Sequence, residues 1–435
     1  MLDLLIKNCI AVTMDDEAPV ISGACIGVRE GKIAFVTPDP ADEPAKRVID
    51  AAGKIAMPGL INTHSHAAMA LMRGYADDYV LQTWLYDYVF PVEARLTEED
   101  IYWGMQLAMA EMLASGTVSI TDMYMYLPSM ARSVADAGLY GNLSNAAMCF
   151  DPAAYRYDTD KVTQQNREVL RSYHGFDGGR IRLDAAIHAE YTSFPQVWRD
   201  YAAFAAENGL NMHVHLSETK KEHGECVEKY GKTPAAVLAE NGVFDVRATA
   251  AHCVWVTDGD LDILREKNVT VAHNPVSNLK LGSGIAPVGK MLEKGVRVSL
   301  GTDGVCSNNS HDLFEEIKLA ALLQKGVSGD PRQIPAREAL RMATRAGAYA
   351  QRREDSLGCL KAGYDASLIL VDADRPGLMP VHHPESALAY SARGGDVCLT
   401  MVRGRVLYEN GVFTTIDIER VRAALSAVMD RLFRS

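Results

Sequence analysis

Residues 248–272, ATAAHCVWVTDGDLDILREKNVTVA, decide the fold class of this chain. The short apolar run at 248–254 predicts a buried strand, and a second such run follows at 269–272. Between them, the apolar residues of 258–267 recur every three to four positions, which predicts an amphipathic helix. Strand, helix and strand at this spacing are typical of a parallel βαβ unit.

The same alternation continues through residues 58–360. Further strands are predicted at 117–121, 181–187, 211–216 and 296–300, and further helices at 98–115 and 194–208. Repeated strand-helix units over this length favour closure into a barrel. The predicted fold class is therefore α/β, with a (β/α)8 TIM barrel over residues 58–360.

Both ends of the chain have a β-rich pattern instead. Strands are predicted at 4–12, 24–28 and 32–36 before the barrel, and at 367–371, 397–402 and 405–408 after it. Because late strands cannot extend a closed barrel, we expect them to join the early ones. The two ends are thus predicted to form a small β-sandwich domain from residues 1–57 and 361–435.

Composition and charge exclude several classes of protein. Hydrophobic residues make up 48% of the chain and charged residues 23%, which is ordinary globular usage and argues against disorder. The formal net charge of −12 argues against a nucleic-acid partner, because phosphate neutralisation needs clustered Lys and Arg. No apolar stretch of about 20 residues is present to span a membrane.

Cysteine usage and the N-terminal residues favour the cytoplasm. The eight cysteines include no Cys-x-x-Cys pair, which is typical of reduced core thiols. The first apolar run is broken by Asp3 and Lys7 before the core of a signal peptide could form. We therefore expect a cytoplasmic protein.

Two histidines at the end of the first predicted barrel strand are candidate metal ligands. His64 and His66 close the segment PGLINTHSH at 58–66. Side chains two apart in a strand point to the same side, so both imidazoles can face one ion. The spacing alone is equally compatible with two ordinary histidines.

A second pair, His213 and His215, lies in the predicted strand 211–216. One of them can complete a metal site while the other packs deeper, and the spacing leaves open which does so. Glu218 follows the strand end, where barrel enzymes place catalytic groups, so it can transfer a proton beside the metal. The alternative for Glu218 is a solvated carboxylate ahead of two lysines.

Two more strand ends carry reactive side chains. His252 ends the sixth predicted barrel strand, and Asp303 follows the eighth within GTDG at 301–304. A carboxylate there can ligate an ion and accept a hydrogen bond from its water. Because the carboxyl ends of parallel barrel strands meet at one face, the four strand ends together predict one metal-dependent catalytic site.

Together these motifs resemble the amidohydrolase superfamily, and in detail its deaminases acting on 5'-methylthioadenosine and S-adenosylhomocysteine. The resemblance runs along nearly the whole chain. It rests on the segments PGLINTHSH (58–66), WL (84–85), PVEA (91–94), EMLASGT (111–117), HVHLSET (213–219), HNPVSNLKL (273–281) and GTDG (301–304).

The resemblance implies one zinc ion per subunit, with iron or another divalent metal as the alternative. The implied ligands are His64, His66, His215 and Asp303. His213 is then the structural member of its pair, and Asp303 and His252 orient and deprotonate the attacking water. Glu218 protonates the substrate ring and helps ammonia leave.

The fourth predicted strand argues for one metal rather than two. Dinuclear members need a carboxylated lysine there, whereas this strand ends in His188. The resemblance assigns His188 to substrate contact, Trp84 to covering the purine and Glu93 to the ribose hydroxyls. Glu218 and Asp303 would also touch the substrate. Without the resemblance, a Trp or Glu in a helix-loop segment would be read as packing or as solvated surface.

The implied activity is hydrolytic deamination of adenine nucleosides to the inosine analogue and ammonia. The candidate substrates are 5'-methylthioadenosine, S-adenosylhomocysteine, adenosine and 5'-deoxyadenosine, and the implied assembly is a homo-oligomer. Similar enzymes place arginines after the third strand to meet the amino-acid end of S-adenosylhomocysteine. Here the corresponding loop, CFDPAAYRY at 149–157, offers Arg156, and its role is left open.

Two alternatives stay open at this point. The same scaffold can deaminate a free base such as guanine, or hydrolyse a triazine; Glu93 and His188 favour a ribose instead. A non-catalytic assembly protein is the second alternative, and the presence of all four implied ligands argues against it. Zinc deaminases built on Pro-Cys-x-x-Cys are excluded, because the chain has no Cys-x-x-Cys.

Overall fold

The structure is a computed structural model that describes residues 1–39 and 43–433. It divides into two compact units. One takes its residues from Met1–Asn62, Met109–Ser119 and His311–Ile418, and the other from Thr63–Ala108, Ile120–Ser310 and Glu419–Ser435. Among the described residues, no helix is both long and apolar enough to cross a bilayer. The domain boundaries expected after residues 57 and 360 stay predictions.

The strands are β1 (Leu2–Val12), β2 (Val20–Arg29), β3 (Lys32–Thr37), β4 (Ala45–Asp50), β5 (Lys54–Pro58), β6 (Leu60–Ser65), β7 (Thr117–Met123), β8 (Tyr140–Ser144), β9 (Ile181–Leu183), β10 (Ala185–Ala186), β11 (Met212–Leu216), β12 (Ala248–His252), β13 (Thr270–His273), β14 (Arg297–Leu300), β15 (Leu368–Asp372), β16 (Val397–Val402), β17 (Arg405–Glu409) and β18 (Val412–Phe413).

The α-helices are α1 (Leu81–Thr83), α2 (Phe90–Glu93), α3 (Glu98–Ala114), α4 (Leu127–Ala137), α5 (Lys161–Ser172), α6 (Phe176–Gly179), α7 (Pro195–Asn208), α8 (Lys220–Tyr230), α9 (Pro234–Glu240), α10 (Asp258–Glu266), α11 (Pro275–Lys280), α12 (Val288–Glu293), α13 (Leu313–Ser328), α14 (Ala336–Met342), α15 (Arg345–Ala350), α16 (Pro384–Ser386) and α17 (Ile418–Phe433). Short 3-10 helices span Ala67–Met72, Tyr157–Thr159, Glu190–Thr192 and Gly394–Asp396, and π-helical turns span Trp84–Val89 and Ala387–Ser391.

Strands from both chain ends form one nine-stranded sheet. Its order is β18-β17-β16-β15-β5-β1-β2-β3, with β4 paired to β1. The early and late strands meet in the antiparallel pair β5 and β15, where Met57 lies opposite Ile369. The sheet buries a core that includes Ile6, Ile26 and Leu368. The prediction that the two ends build a common β domain is confirmed.

Parallel strands form the barrel in two sheets, β6-β7-β8-β9 and β10-β11-β12-β13-β14. β9 and β10 are the halves of one predicted strand, interrupted at Asp184. Parallel bridges from Ser65 to Asp303 and from Ala147 to Ile187 join the two sheets into a ring. Helices follow most of these strands, so the predicted (β/α)8 barrel is confirmed.

The strand β8 has the weakest signal in the sequence. All five of its residues are buried, although they include Gly141 and Asn142. The Asn142 side-chain amide donates to the Asp184 carboxylate at 3.0 Å, so the polar side chain is satisfied inside the barrel. Such pairing across strands leaves no trace in hydrophobic periodicity, and the strand is absent from the apolar runs identified above.

Candidate active site

Four barrel strands deliver the predicted reactive side chains to one end of the barrel. His64 lies in β6 and His66 directly follows it, while His215 lies in β11. His252 is the last residue of β12, and Asp303 follows β14. The backbone N–H of Asp303 donates to the carbonyl of His64 at 3.0 Å, which ties the eighth barrel strand to the first. The carboxyl ends of parallel strands therefore meet as expected.

Three histidines and one carboxylate converge at this end. Nε2 of His66 lies 3.2 Å from Nε2 of His215 and 3.2 Å from Oδ1 of Asp303. Nε2 of His64 lies 3.4 Å from the same Oδ1. Four ligands at zinc-ligand distances in a tetrahedron would be about 3.3 Å apart. The spacing therefore fits a divalent metal ion at the centre of the group.

The ring tautomers give independent support for a cation. Nδ1 of His66 lies against the carbonyl of Met123, and Nδ1 of His215 lies 2.7 Å from the carbonyl of His188. Since a carbonyl only accepts, both Nδ1 atoms must donate. In the neutral rings both Nε2 atoms then present lone pairs to each other, an arrangement that needs a cation or a proton between them.

Without a metal, a proton would take that place. Burial lowers the pKa of His66, but the hydrogen bond to Asp303, the negative charges of Asp303 and Asp122 and the carbonyl of Met123 together outweigh it and raise the pKa to about 9. Burial and neighbouring histidines hold the pKa of His215 well below its usual range. The site thus demands positive charge, and its set of imidazoles and one carboxylate suits a divalent metal.

The structure distinguishes the two histidines of β11. Nε2 of His213 lies 3.0 Å from Nδ1 of His64, so His213 sits behind His64. His215, in contrast, belongs to the cluster of facing ligand atoms with His64 and His66. A histidine behind a ligand orients its ring, which is the structural role expected for His213.

Two serines hold the carboxylate of Asp303. Its Oδ2 accepts from Ser277 Oγ at 2.6 Å and from Ser307 Oγ at 2.9 Å, which leaves Oδ1 turned to the histidines. Sequence reasoning missed both serines. Ser277 lies in the segment 273–281 that contributed to the resemblance, but nothing in its spacing pointed to Asp303.

A close approach at Gly301 leads to a testable prediction. A Cβ atom added there would lie 2.8 Å from Cβ and from the carbonyl oxygen of His64, and would clash with Oδ1 of Asn274. Gly301→Ala is therefore expected to displace His64, to destabilise the fold by about 1–3 kcal/mol, and to weaken zinc binding. Urea unfolding and zinc titration measure the two effects.

The matched control is Gly224→Ala. Gly224 lies in α8, and an added Cβ would meet nothing within 4 Å. Alanine in a helix interior should stabilise by about 0.5–1 kcal/mol. Equal stability and equal zinc affinity for Gly301→Ala and the wild type would show that the approach to His64 has no structural importance.

Glu218 and His252 face each other beside the histidine cluster. Oε2 of Glu218 lies 4.0 Å from Nε2 of His252, and Oε1 of Glu218 accepts from Ser283 Oγ at 3.0 Å. Nδ1 of His252 is held by Oδ1 of Asn278 at 2.8 Å, which directs Nε2 towards Glu218. Burial lowers the pKa of His252, but the carboxylates of Glu218 and Asp303 outweigh it and raise the pKa.

The backbone at these strand ends is strained. His252 has φ of 71° and Asp303 has φ of 60°, both in the left-handed region that side-chain-bearing residues rarely adopt. Such strain persists only where the surrounding structure holds it, and it concentrates at functional sites. The strained backbone of His252 and Asp303 therefore indicates that both residues are positioned for function rather than for stability.

A cavity of about 810 Å³, including its mouth, opens onto the cluster. Its polar lining includes His66, Glu93, Asn145, His188, His215, Glu218, His252 and Asp303. Its apolar and aromatic lining includes Met69, Leu81, Trp84, Leu85, Val89, Phe90, Met123, Tyr124, Met125, Ala146, Met148, Tyr191 and Leu281. The cavity has the mixed polar and apolar lining of a small-molecule site.

All five predicted substrate contacts line this cavity: Trp84, Glu93, His188, Glu218 and Asp303. Oε1 of Glu93 accepts from the hydroxyl of Tyr124 at 2.6 Å, and burial raises the pKa of Glu93. Burial lowers the pKa of His188 to about 3, so its ring is neutral. Tyr124 was not identified from the sequence, because only the tertiary fold brings it to Glu93.

Arg156 is not among the described residues that line the cavity. Its side chain donates to the backbone carbonyls of Ala153 at 2.9 Å and of Tyr155 at 2.6 Å. Both bonds lie in an exposed loop. In this structure the guanidinium of Arg156 is therefore bonded within its own loop.

Comparison with known proteins agrees with this geometry. Residues 55–407 match the model of the amidohydrolase family. The chain is 42% identical over 439 residues to a 5-methylthioadenosine/S-adenosylhomocysteine deaminase of Acetivibrio thermocellus, with all of both chains covered. It is 44% identical to a 5'-deoxyadenosine deaminase of Methanosarcina acetivorans, over 97% of this chain and 96% of that one.

A solved structure has the same fold. An adenosine deaminase from Xanthomonas campestris with bound zinc superposes with a TM-score of 0.93 at 30% identity, covering 100% of this chain and 99% of that one. The family match covers more than half of the chain, and the relatives align over nearly its full length. Together with the same barrel and a group of side chains that fits a metal ion, these matches show that this chain belongs to the amidohydrolase family.

Proposed function

We propose that the chain is a metal-dependent deaminase of adenine nucleosides. The substrate class comprises 5'-methylthioadenosine, S-adenosylhomocysteine, adenosine and 5'-deoxyadenosine, each converted to its inosine analogue with release of ammonia. The observation that carries the proposal is that Glu218 and His252 face each other and line one cavity together with the metal-ligand candidates His66, His215 and Asp303. The names of the similar deaminases support the same reaction.

One zinc ion per subunit is the proposed cofactor. Its ligands would be His64, His66, His215 and Asp303, whose ligand atoms have the mutual distances described above. Bound zinc supplies Lewis acidity that makes water nucleophilic near neutral pH. A single ion agrees with the fourth barrel strand, which leads to His188 rather than to a lysine.

Asp303 and His252 are proposed to hold and deprotonate the attacking water. The serines on Oδ2 keep Asp303 in one orientation, and Asn278 keeps the Nε2 atom of His252 turned to the cavity. The water oxygen bonds to the ring carbon that carries the amino group, and its protons pass to these side chains. Fixed orientation of such groups contributes to rate because no reorganisation is needed during the reaction.

Glu218 is proposed to protonate the ring nitrogen beside that carbon. Its carboxyl group is buried and held at Oε1 by Ser283, so Oε2 remains available on the side of His252. The two water protons thus end on the ring nitrogen, by way of Glu218, and on the amino group, which leaves as ammonia when the carbon–nitrogen bond breaks. A positioned proton donor of this kind contributes about 10²–10⁴-fold to rate.

The remaining lining residues are proposed to select a nucleoside. Trp84 supplies an aromatic face for the purine, and the Glu93 carboxylate accepts from the ribose hydroxyls, with Tyr124 holding it in place. His188 supplies a neutral imidazole. A free base or a triazine would leave Glu93 buried without a substrate partner, which disfavours the alternative reactions.

A substrate panel tests the proposal. Ammonia release is measured for zinc-loaded protein with adenosine, 5'-methylthioadenosine, 5'-deoxyadenosine, S-adenosylhomocysteine, guanine and a triazine. We expect turnover of the nucleosides, and Glu93→Gln should raise their KM by about 10-fold to 100-fold, because a hydrogen bond to a charged group is lost. Turnover of guanine or the triazine alone would overturn the nucleoside proposal, and no turnover with full metal occupancy would favour a non-catalytic protein.

A further inference from the structure

Two buried carboxyl groups that the proposed mechanism does not use lie behind Glu218. Glu190 belongs to the short helix Glu190–Thr192 and is 1% exposed, while Glu222 lies in the first turn of α8 and is 6% exposed. Carboxylates are rarely buried so deeply unless they are paired. The burial of these two carboxyl groups therefore indicates that they are paired with each other or with neighbouring groups.

Glu222 is bonded directly to the backbone of Glu218. Its Oε2 accepts from the N–H of Glu218 at 2.7 Å and from the N–H of Thr219 at 3.3 Å. Thr219 caps α8 and completes a reciprocal capping box with Glu222. An ordinary capping box ties its glutamate to the cap residue only. Here the bond extends one residue further, to the proposed proton donor.

The other oxygen of Glu222 faces Glu190. The two side chains are in hydrogen-bonding contact with each other. Within residues 1–39 and 43–433, neither Oε1 of Glu222 nor Oε2 of Glu190 accepts a hydrogen bond, so a proton on one of the two carboxyl groups would supply the missing donor. Two ionised carboxylates in contact repel strongly, so such a pair is stable when it holds one proton.

The environment also favours retention of that proton. Burial and the negative charge of Glu222 raise the pKa of Glu190, and burial and the negative charge of Glu218 raise the pKa of Glu222. The other titratable groups that face the pair are Tyr191, Glu218, Cys226, His252 and Cys253. Backbone N–H groups stabilise the anionic form of both side chains, but Oε2 of Glu222 is held by the N–H groups of Glu218 and Thr219, so we place the shared proton on Glu190.

We propose that Glu190 and Glu222 form a carboxylic acid–carboxylate pair that positions Glu218 for proton transfer. The Glu190 carboxyl O–H donates to Oε1 of Glu222, and Oε2 of Glu222 holds the backbone N–H of Glu218. Both glutamates are positioning residues, because neither lines the substrate cavity among the described residues. The inference rests on the proposed deaminase function of Glu218.

Loss of the shared proton gives this pair a pH dependence. When the pH rises above the raised pKa of the pair, two anions face each other and Glu222 is pushed away from Glu218. The kcat should then fall on the alkaline side. The folded-state pKa is raised, so the stability that the pair contributes is present at low pH and is lost as the pH rises through that pKa.

The test compares Glu190→Gln with Glu190→Leu in the full-length, zinc-loaded protein. The glutamine amide donates to Glu222 at every pH, so Glu190→Gln should retain wild-type kcat within about threefold and shift its alkaline fall upwards by about one pH unit or more. Glu190→Leu removes the donor and should lower kcat by about tenfold or more, because Glu218 is misplaced. KM should stay within about threefold in both variants.

Equal pH profiles for the wild type and both variants would overturn the inference and leave Glu222 as a helix cap alone. Failure of the proposed function is recognised separately, because the wild type itself would then release no ammonia. In that case infrared spectroscopy still decides the inference. A protonated carboxyl band at neutral pH should be present in the wild type and lost in Glu190→Gln, and a spectrum unchanged by the substitution would overturn it.

Discussion

Replacement of His215 by alanine is expected to abolish both metal binding and ammonia release. The imidazole Nε2 of His215 lies 3.2 Å from that of His66, and its Nδ1 is fixed by the carbonyl of His188. Loss of an orienting neighbour alone typically costs about 10–100-fold in metal affinity. Loss of a ligand should cost more, so zinc affinity should fall by more than about 100-fold, as measured by elemental analysis and zinc titration.

The control for this prediction is His382→Ala, which removes an exposed histidine. It should leave zinc content and activity at the wild-type level. Full zinc occupancy and undiminished turnover in His215→Ala would show that His215 is not a ligand. In that case the ion would be held by the second group of possible ligands, which consists of His64, His252 and Asp303.

Glu218→Gln is expected to lower kcat by about 10²–10⁴-fold with unchanged zinc content. Glutamine has nearly the same shape and can still accept from Ser283 at its amide oxygen. It cannot, however, deliver a proton to the ring nitrogen. The measurement is single-turnover ammonia release with the best nucleoside of the panel, beside elemental analysis of the same preparation.

The matched control is Glu225→Gln, which changes an exposed glutamate in α8, the helix that follows Glu218. This carboxylate lies 3.8 Å from Lys221 on the surface, and removal of such an exposed ion pair should have little effect on stability or rate. If Glu218→Gln retained wild-type kcat, the proton donor would have to be another group. Glu222 would then have no proton donor to position.

The barrel could be predicted because its signal is local. The strand-helix-strand pattern of 248–272 reappears as β12, α10 and β13, each within a few residues of the expected bounds. Where the signal was not local, prediction was less complete. The strand β8 is buried with a glycine and an asparagine in it, and the run 181–187 is divided at Asp184 into β9 and β10.

The choice between His213 and His215 shows the limit of spacing. Both side chains point to the same side of β11, so their separation in sequence cannot distinguish them. The contact with Nδ1 of His64 places His213 behind that ligand, whereas His215 faces His66. The depth of each side chain along the barrel axis depends on the register of the neighbouring strands. The resemblance to known deaminases, and not the spacing, identified His215 as the ligand.

The sequence by itself determined the fold class, the strand ends that carry reactive groups and the likeness to a family of deaminases. The tertiary structure alone decided which groups support them: Ser277 and Ser307 on Asp303, Tyr124 on Glu93, and Glu222 on the backbone of Glu218. The reason is physical. Hydrophobic periodicity records which side of an element is buried, whereas hydrogen bonds and shared protons depend on atoms of distant segments meeting within about 3 Å.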